Sequence, residues 1–260
     1  MRKSRSVSLS SGLPDWLRGR DAMVLVLTWA AAGVDAISYL GLGHVFTANM
    51  TGNTVLLGLA IGQGQGLAAL RSIIALAGFA IGVALTAVVL ELRPGRGEWP
   101  VGVTRAVAAE AIILGVFTVA WHMGTHRGAL LYGLILLAAL AMGIQSAAIR
   151  QLKVPGIATT YITGTLTSMV AEFISWLARV QRSPLAVDPT GQSVSLEVPT
   201  GHRYRGARLQ ALVLFVYVLA AVLSAVLQSG HSRLVSVSPL LAVALVTMNA
   251  WIRYRVAQAA

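Results

Sequence analysis

Long uninterrupted apolar runs dominate this sequence. Eight stretches carry most of it, at about Met23–Gly43, Phe46–Ile61, Leu70–Leu90, Val103–Trp121, Gly128–Ile149, Gly156–Val180, Leu209–Gln228 and Leu234–Trp251. A helix needs about 20 mostly apolar residues to span the hydrocarbon core of a bilayer, and six of the stretches meet this. A soluble helix would show its apolar residues in stripes of helical period. Here they fall in blocks, so lipid is the expected solvent. The charged fraction, 11%, agrees. A soluble domain needs roughly 25% to cover its surface. The hydrophobic fraction is 56% and the mean hydropathy +0.74.

The net charge is +11. A nucleic-acid partner would require those charges to cluster on one soluble face. They sit instead in the short segments between apolar stretches, as topology determinants do. The first 21 residues are polar and basic, with no signal-peptide run, and the first apolar stretch reads as a retained anchor. The chain has no cysteine, which removes disulfides and thiol chemistry.

Two stretches differ from the rest. The second is short and is interrupted by Thr47, Asn49, Thr51, Asn53 and Thr54. The sixth opens with Thr159, Thr160, Tyr161, Thr163, Thr165 and Thr167. They resemble each other, since Thr47-Ala-Asn-Met-Thr51-Gly52-Asn53 can be laid on Thr159-Thr-Tyr-Ile-Thr163-Gly164-Thr165. Each follows a span with a small-polar site, Gly33-Val-Asp35 or Gly143-Ile-Gln145, and each precedes a span opened by arginine, Arg71 or Arg208. Order, spacing and motif agree with an internal duplication.

Lys and Arg mark cytoplasmic loops. If six stretches cross and the two Thr-Gly stretches dip in and return, every Lys and Arg except Arg71, Arg127 and Arg233 lies inside. If all eight cross, Arg93, Arg96, Arg105, Arg150, Lys153 and Arg233 fall outside. The six-span arrangement fits better, and both place the termini in the cytoplasm. Three crossings per repeat invert the second copy relative to the first, a transporter design in which matched broken segments meet near mid-membrane.

The fold class expected is therefore an all-α membrane protein. It has about six transmembrane helices, two broken or re-entrant segments and an inverted internal repeat. Residues 1–21 form a basic cytoplasmic segment and 22–253 a single membrane domain. Repeat one covers about 22–122 and repeat two about 128–253, with a polar loop at 181–206.

Chemistry is expected where polar groups enter lipid. A glycine flanked by threonine and asparagine makes a poor continuous helix there, and freed backbone groups must be buried in protein or face water. Asn49, Thr51, Gly52, Asn53, Thr163, Gly164 and Thr165 are thus candidates for a substrate or ion pathway. A half-helix starting at the glycine would turn its positive end to an anion. The bland alternative is close helix packing, with hydroxyls bonding across helices. Three acids lie within apolar stretches: Asp35, Glu110 and Glu172. A carboxylate at mid-membrane is costly and normally faces a cavity or a partner. Asp35 suits proton coupling best. Glu172 is balanced between function and structure. Glu110 is expected to pair with Arg105 or a headgroup. Gln145 holds the place in repeat two that Asp35 holds in repeat one.

Gly78-Phe-Ala-Ile-Gly82 is a GxxxG match that suggests close packing and a dimer face. His122 and His126 read as a solvated loop. No HExxH, GxSxG, Walker A or dinucleotide motif is present, so no enzyme activity, metal or cofactor is expected. The expected partners are the lipid bilayer, a small solute and, for so short a chain, further copies in a homo-oligomer.

The segments Gly33-Val-Asp35-Ala-Ile-Ser-Tyr39, Phe46-Thr-Ala-Asn-Met-Thr-Gly-Asn53, Ala141-Met-Gly-Ile-Gln-Ser-Ala-Ala148 and Thr159-Thr-Tyr-Ile-Thr-Gly-Thr165 resemble the YoaK family. These are bacterial multi-pass membrane proteins with no assigned function. The resemblance runs from about Arg20 to Trp251. It implies a single inner-membrane domain and brings no site residues with it.

Overall fold

The computed structural model describes residues 19–92, 95, 97–152, 162–182, 201–230 and 232–256. All their regular structure is helical: α1 (Arg20–Gly41), α2 (Met50–Gly62), α3 (Gly66–Leu92), α4 (Val101–His122), α5 (Gly128–Gln151), α6 (Ile162–Arg182), α7 (Gly201–Gly230), α8 (Ser232–Val235) and α9 (Val237–Val256). The apolar stretches map onto these helices with two adjustments. The eighth is broken at Ser236, and Pro239 sits in the first turn of α9, where a missing N–H costs nothing. The polar segment expected as a loop over 181–206 is helical at both ends, because α6 continues to Arg182 and α7 begins at Gly201.

Five helices are long and apolar enough to cross a bilayer: α1, α3, α4, α5 and residues 206–230 of α7. The apolar part of α9, Val237–Arg253, is shorter, but its 20 residues extend about 30 Å at 1.5 Å per residue. The 13 residues of α2 reach only about 20 Å, which is too short to cross. α6 has the length but is too polar to qualify. The chain is an all-α membrane protein.

α1 and α5 form the centre. In α1, 67% of the apolar window is buried and in α5 50%, against 28% in both α3 and α7. α1 packs on α7 and α9, α5 packs on α3 and α4, and α4 packs on α9. α2 lies along α3, and α6 along α7. The closest approach is between α3 and α5. Gly82 lies on the backbone of Leu140, Gly143 and Ile144, and Gly143 lies on the Phe79 carbonyl. Any side chain at these positions would push the two backbones apart. Gly78 likewise touches Leu136 and Ala139. The GxxxG face is thus used within the chain and is not free for a dimer.

Helix directions follow from these contacts. Residues 78 and 82 of α3 meet residues rising from 136 to 144 on α5, so the two run parallel. Gly41, at the end of α1, touches Trp121 near the end of α4 and Gln228 near the end of α7. α1, α4 and α7 therefore finish at one end of the bundle. Gly43 lies against the Arg71 side chain, so α3 starts at that same end. Between 43 and 71 the chain enters the bundle and comes back out where it went in.

Candidate functional site

α1 stops at Gly41, and two successive left-handed residues, Gly43 (φ 82°) and His44 (φ 60°), reverse the chain. Residues 45–49 then descend beside α1 to the level of Asp35. Their backbone cannot use a helical ladder, and groups buried in lipid must find partners within the protein.

Asp35 supplies most of them. It is 3% exposed. Its Oδ1 accepts the backbone N–H groups of Thr47 (2.8 Å) and Ala48 (2.6 Å), and its Oδ2 accepts that of Asn49 (3.1 Å). These donors lead into the start of α2, whose N-cap is Asn49 and whose dipole favours negative charge there. From α7, Tyr217 donates its hydroxyl to Oδ2 at 3.0 Å. Four donors thus converge on one carboxyl group.

Asn53 holds the other side of the loop. Its Oδ1 accepts the Phe46 N–H (2.9 Å), and its Nδ2 donates to the Phe46 carbonyl (2.5 Å). One amide therefore satisfies both peptide groups of Phe46. Asn49 caps α2, its side chain accepting the Gly52 N–H at 3.2 Å. The Ser38 and Thr47 hydroxyls bond at 3.1 Å. The Tyr39 ring stacks on Phe46 with centroids 5.0 Å apart. A Cβ at Gly52 would stand 2.9 Å from the Phe46 ring, which accounts for glycine there.

The half-helices do not start at the glycines. α2 opens at Met50 because Asn49 caps it, so Gly52 lies in its first turn and the break falls upstream at residues 42–49. Gly164 likewise lies in the first turn of α6. Thr159 and Thr160, aligned above with Thr47 and Ala48, lie outside the described residues, as do Tyr161 and residues 183–200.

Asp35, Asn49, Gly52 and Asn53 meet in one assembly. Thr51 points outward and is exposed, as is Thr163, while Gly164 is half-buried and Thr165 buried. Gln145 is buried elsewhere, donating to the Leu27 carbonyl of α1 at 3.0 Å. Glu172 accepts a hydrogen bond from Gln210 at 3.3 Å, joining α6 to α7. Glu110 does not pair with Arg105. It is fully buried without a hydrogen-bond partner among the described residues, whereas Arg105 is exposed. The two histidines hold the end of α4: a ring nitrogen of His122 bonds the Thr118 carbonyl (2.6 Å), and one of His126 bonds the Trp121 carbonyl (3.0 Å). Among the described residues no three metal-capable side chains gather.

Sequence reasoning missed Tyr217 and Ser38. The signal for Tyr217 was a phenol in an apolar span, whose hydroxyl needs a buried partner. Thr47 enters the sequence pattern as an interruption of an apolar stretch, and it is its backbone N–H that meets Asp35.

A bundle of membrane-crossing helices around a carboxylate-clamped, returning loop defines a multi-pass membrane protein. Residues 23–250 match the family described as "Protein of unknown function (DUF1275)", and the chain belongs to that family. Over 157 residues it is 43% identical to the UPF0700 transmembrane protein YoaK of Bacillus subtilis (strain 168), covering 59% of this chain and 67% of that relative. No solved structure matches the chain.

Proposed function

We propose that the protein moves a small solute across the cytoplasmic membrane, with the assembly around Asp35 at the centre of the pathway. One observation carries this reading. A non-helical loop is held deep among membrane-crossing helices by one carboxyl group, bonded to a second helix from the other half of the chain. Irregular backbone at that depth is tolerated where it is buried in protein or lines a water-filled cavity, and it recurs in transporters with broken helices.

The helix packing supports an inverted repeat, and with it the same reading. Exchanging α1 with α5, α2 with α6, α3 with α7 and α4 with α9 carries the principal packings onto one another: α1 on α7 becomes α5 on α3, and α1 on α9 becomes α5 on α4. The two halves differ in chemistry. Repeat one clamps its loop with an acid, and repeat two carries the neutral Gln145. Asp35 then acts through the loop. Taking up a proton would weaken its charge-assisted bonds to residues 47–49 and release the start of α2. The orientation proposed places both termini in the cytoplasm of an inner membrane, from the distribution of Lys and Arg.

A passive oligomeric channel is the second reading, favoured by the exposed face of α2, where Thr51 stands beside Val55 and Leu59. Uptake of a panel of small solutes into reconstituted vesicles tests both. Uptake that responds to a pH gradient, and loses that response in Asp35→Asn, supports coupled transport. Gradient-independent conductance supports the channel. A found solute whose rate and pH dependence are unchanged in Asp35→Asn ends the coupling role.

A further inference from the structure

Glu110 is the buried acid that the pathway around Asp35 leaves unused. It lies midway along α4, is 0% exposed, and neither carboxyl oxygen has a hydrogen-bond partner among the described residues. Val107, Leu114 and Phe117 flank it on the buried face of the same helix. α4 packs on α5 and α9, and less extensively on α3. Buried residues of α5 and α9 in the common core include Ala138, Met142, Val243 and Val246. The titratable or charged side chains described on these helices are Tyr132 and Arg150 on α5, Arg253 on α9, and Arg71 and Glu91 on α3. All sit towards helix ends, and none bonds to Glu110. On α4 itself, Arg105 is exposed and His122 bonds the Thr118 carbonyl.

A charge placed there would be buried with nothing to offset it. A residue serving only to fill that space would do so better as leucine, which has no polar atom to leave unpaired. The helix that carries it closes the first half of the chain and packs on α9, which closes the second.

We propose that Glu110 is a proton-carrying group of the transport cycle, neutral in this conformation and passing its proton to water when the α4–α9 contact opens. This rests on the transport reading and adds the proton as a transported or coupling species at a second site. The step is a simple transfer: the carboxyl O–H breaks, water takes the proton, and the carboxylate is hydrated until the contact closes on a new proton.

Infrared spectroscopy of the full chain in lipid tests it without any known solute. The expected result is a protonated-carboxyl C=O band at pH 8 that Glu110→Gln removes and Glu110→Asp keeps at a shifted frequency. In D2O the band should move as the proton exchanges. Thr118 of α4 donates to the Ser236 carbonyl just before α9, at 3.1 Å. Joining Thr118→Cys to Ser236→Cys by a disulfide should therefore slow the exchange at least tenfold. The native chain contains no cysteine to confuse the result. Three outcomes overturn the proposal: no Glu110-dependent band, a band that never exchanges, or exchange indifferent to the cross-link. A positive result in vesicles that take up no solute would sink the transport reading alone.

Discussion

Tyr217 of α7 donates a 3.0 Å hydrogen bond to Asp35 of α1, a residue 182 positions earlier in the chain. Through it the returning loop of the first half is fastened to a helix of the second. Replacing Tyr217 by Phe keeps the ring and removes that bond. Hydrogen bonds between membrane helices average about 0.6 kcal/mol, so a loss of about that size is expected. It should be read as a modest fall in Tm in detergent, with faster amide exchange concentrated at residues 45–49.

Asp35→Ala should be far more damaging than Asp35→Asn. Alanine orphans the N–H groups of Thr47, Ala48 and Asn49 and the Tyr217 hydroxyl. Buried unsatisfied donors cost roughly 1–3 kcal/mol each, so a loss on the order of 3 kcal/mol or more is expected. Asparagine keeps one acceptor oxygen. Denaturation monitored by circular dichroism should rank wild type above Asn above Ala; an Asp35→Ala variant as stable as wild type would show that the carboxylate does not hold the loop.

Asn53→Leu, similar in size to the native side chain, strips both peptide groups of Phe46 of their partner. The expected effect is local. A cysteine placed at His44 should become more reactive to a soluble thiol reagent, while the α3–α5 contact, probed by a cross-link between cysteines at Phe79 and Leu140, stays intact.

Gly82→Ala forces a methyl group onto the backbone of α5 and should destabilise the protein by about 1–3 kcal/mol through overpacking. Gly115→Ala, where a Cβ meets nothing within 4 Å, is the control. It should be neutral or gain up to ~1 kcal/mol from helix propensity. Thermal unfolding of the pair separates close packing from a general intolerance of glycine loss.

Gln65→Cys decides how the chain is threaded. With α2 returning to the end at which it entered, this site lies across the membrane from the N-terminus. A membrane-impermeant maleimide should label it only from that opposite side. Labelling from the N-terminal side would mean that α2 crosses.

The spans were legible because continuous apolar blocks have one reading in a chain so poor in charge. Asp35 and the Thr-Gly segments stood out for the converse reason, as polar groups in lipid demand an explanation. The partners were not legible. Tyr217 is brought to Asp35 by helix packing that no local pattern encodes, and the start of α2 is fixed by the cap of Asn49, three residues before the visible Gly52. The pairing expected between Glu110 and Arg105 failed on helical geometry already available. Five residues turn the helix by about 140° beyond a full turn, so one side chain faces the core when the other faces out.

The loop clamp also has an order of assembly. Its backbone bonds join Asp35 to residues no more than 14 positions away, and Asn53 reaches back only seven. The hairpin of α1 and α2 can therefore close on itself as soon as it leaves the ribosome. Tyr217 emerges much later, so docking of α7 adds a final fastening to a piece already shaped.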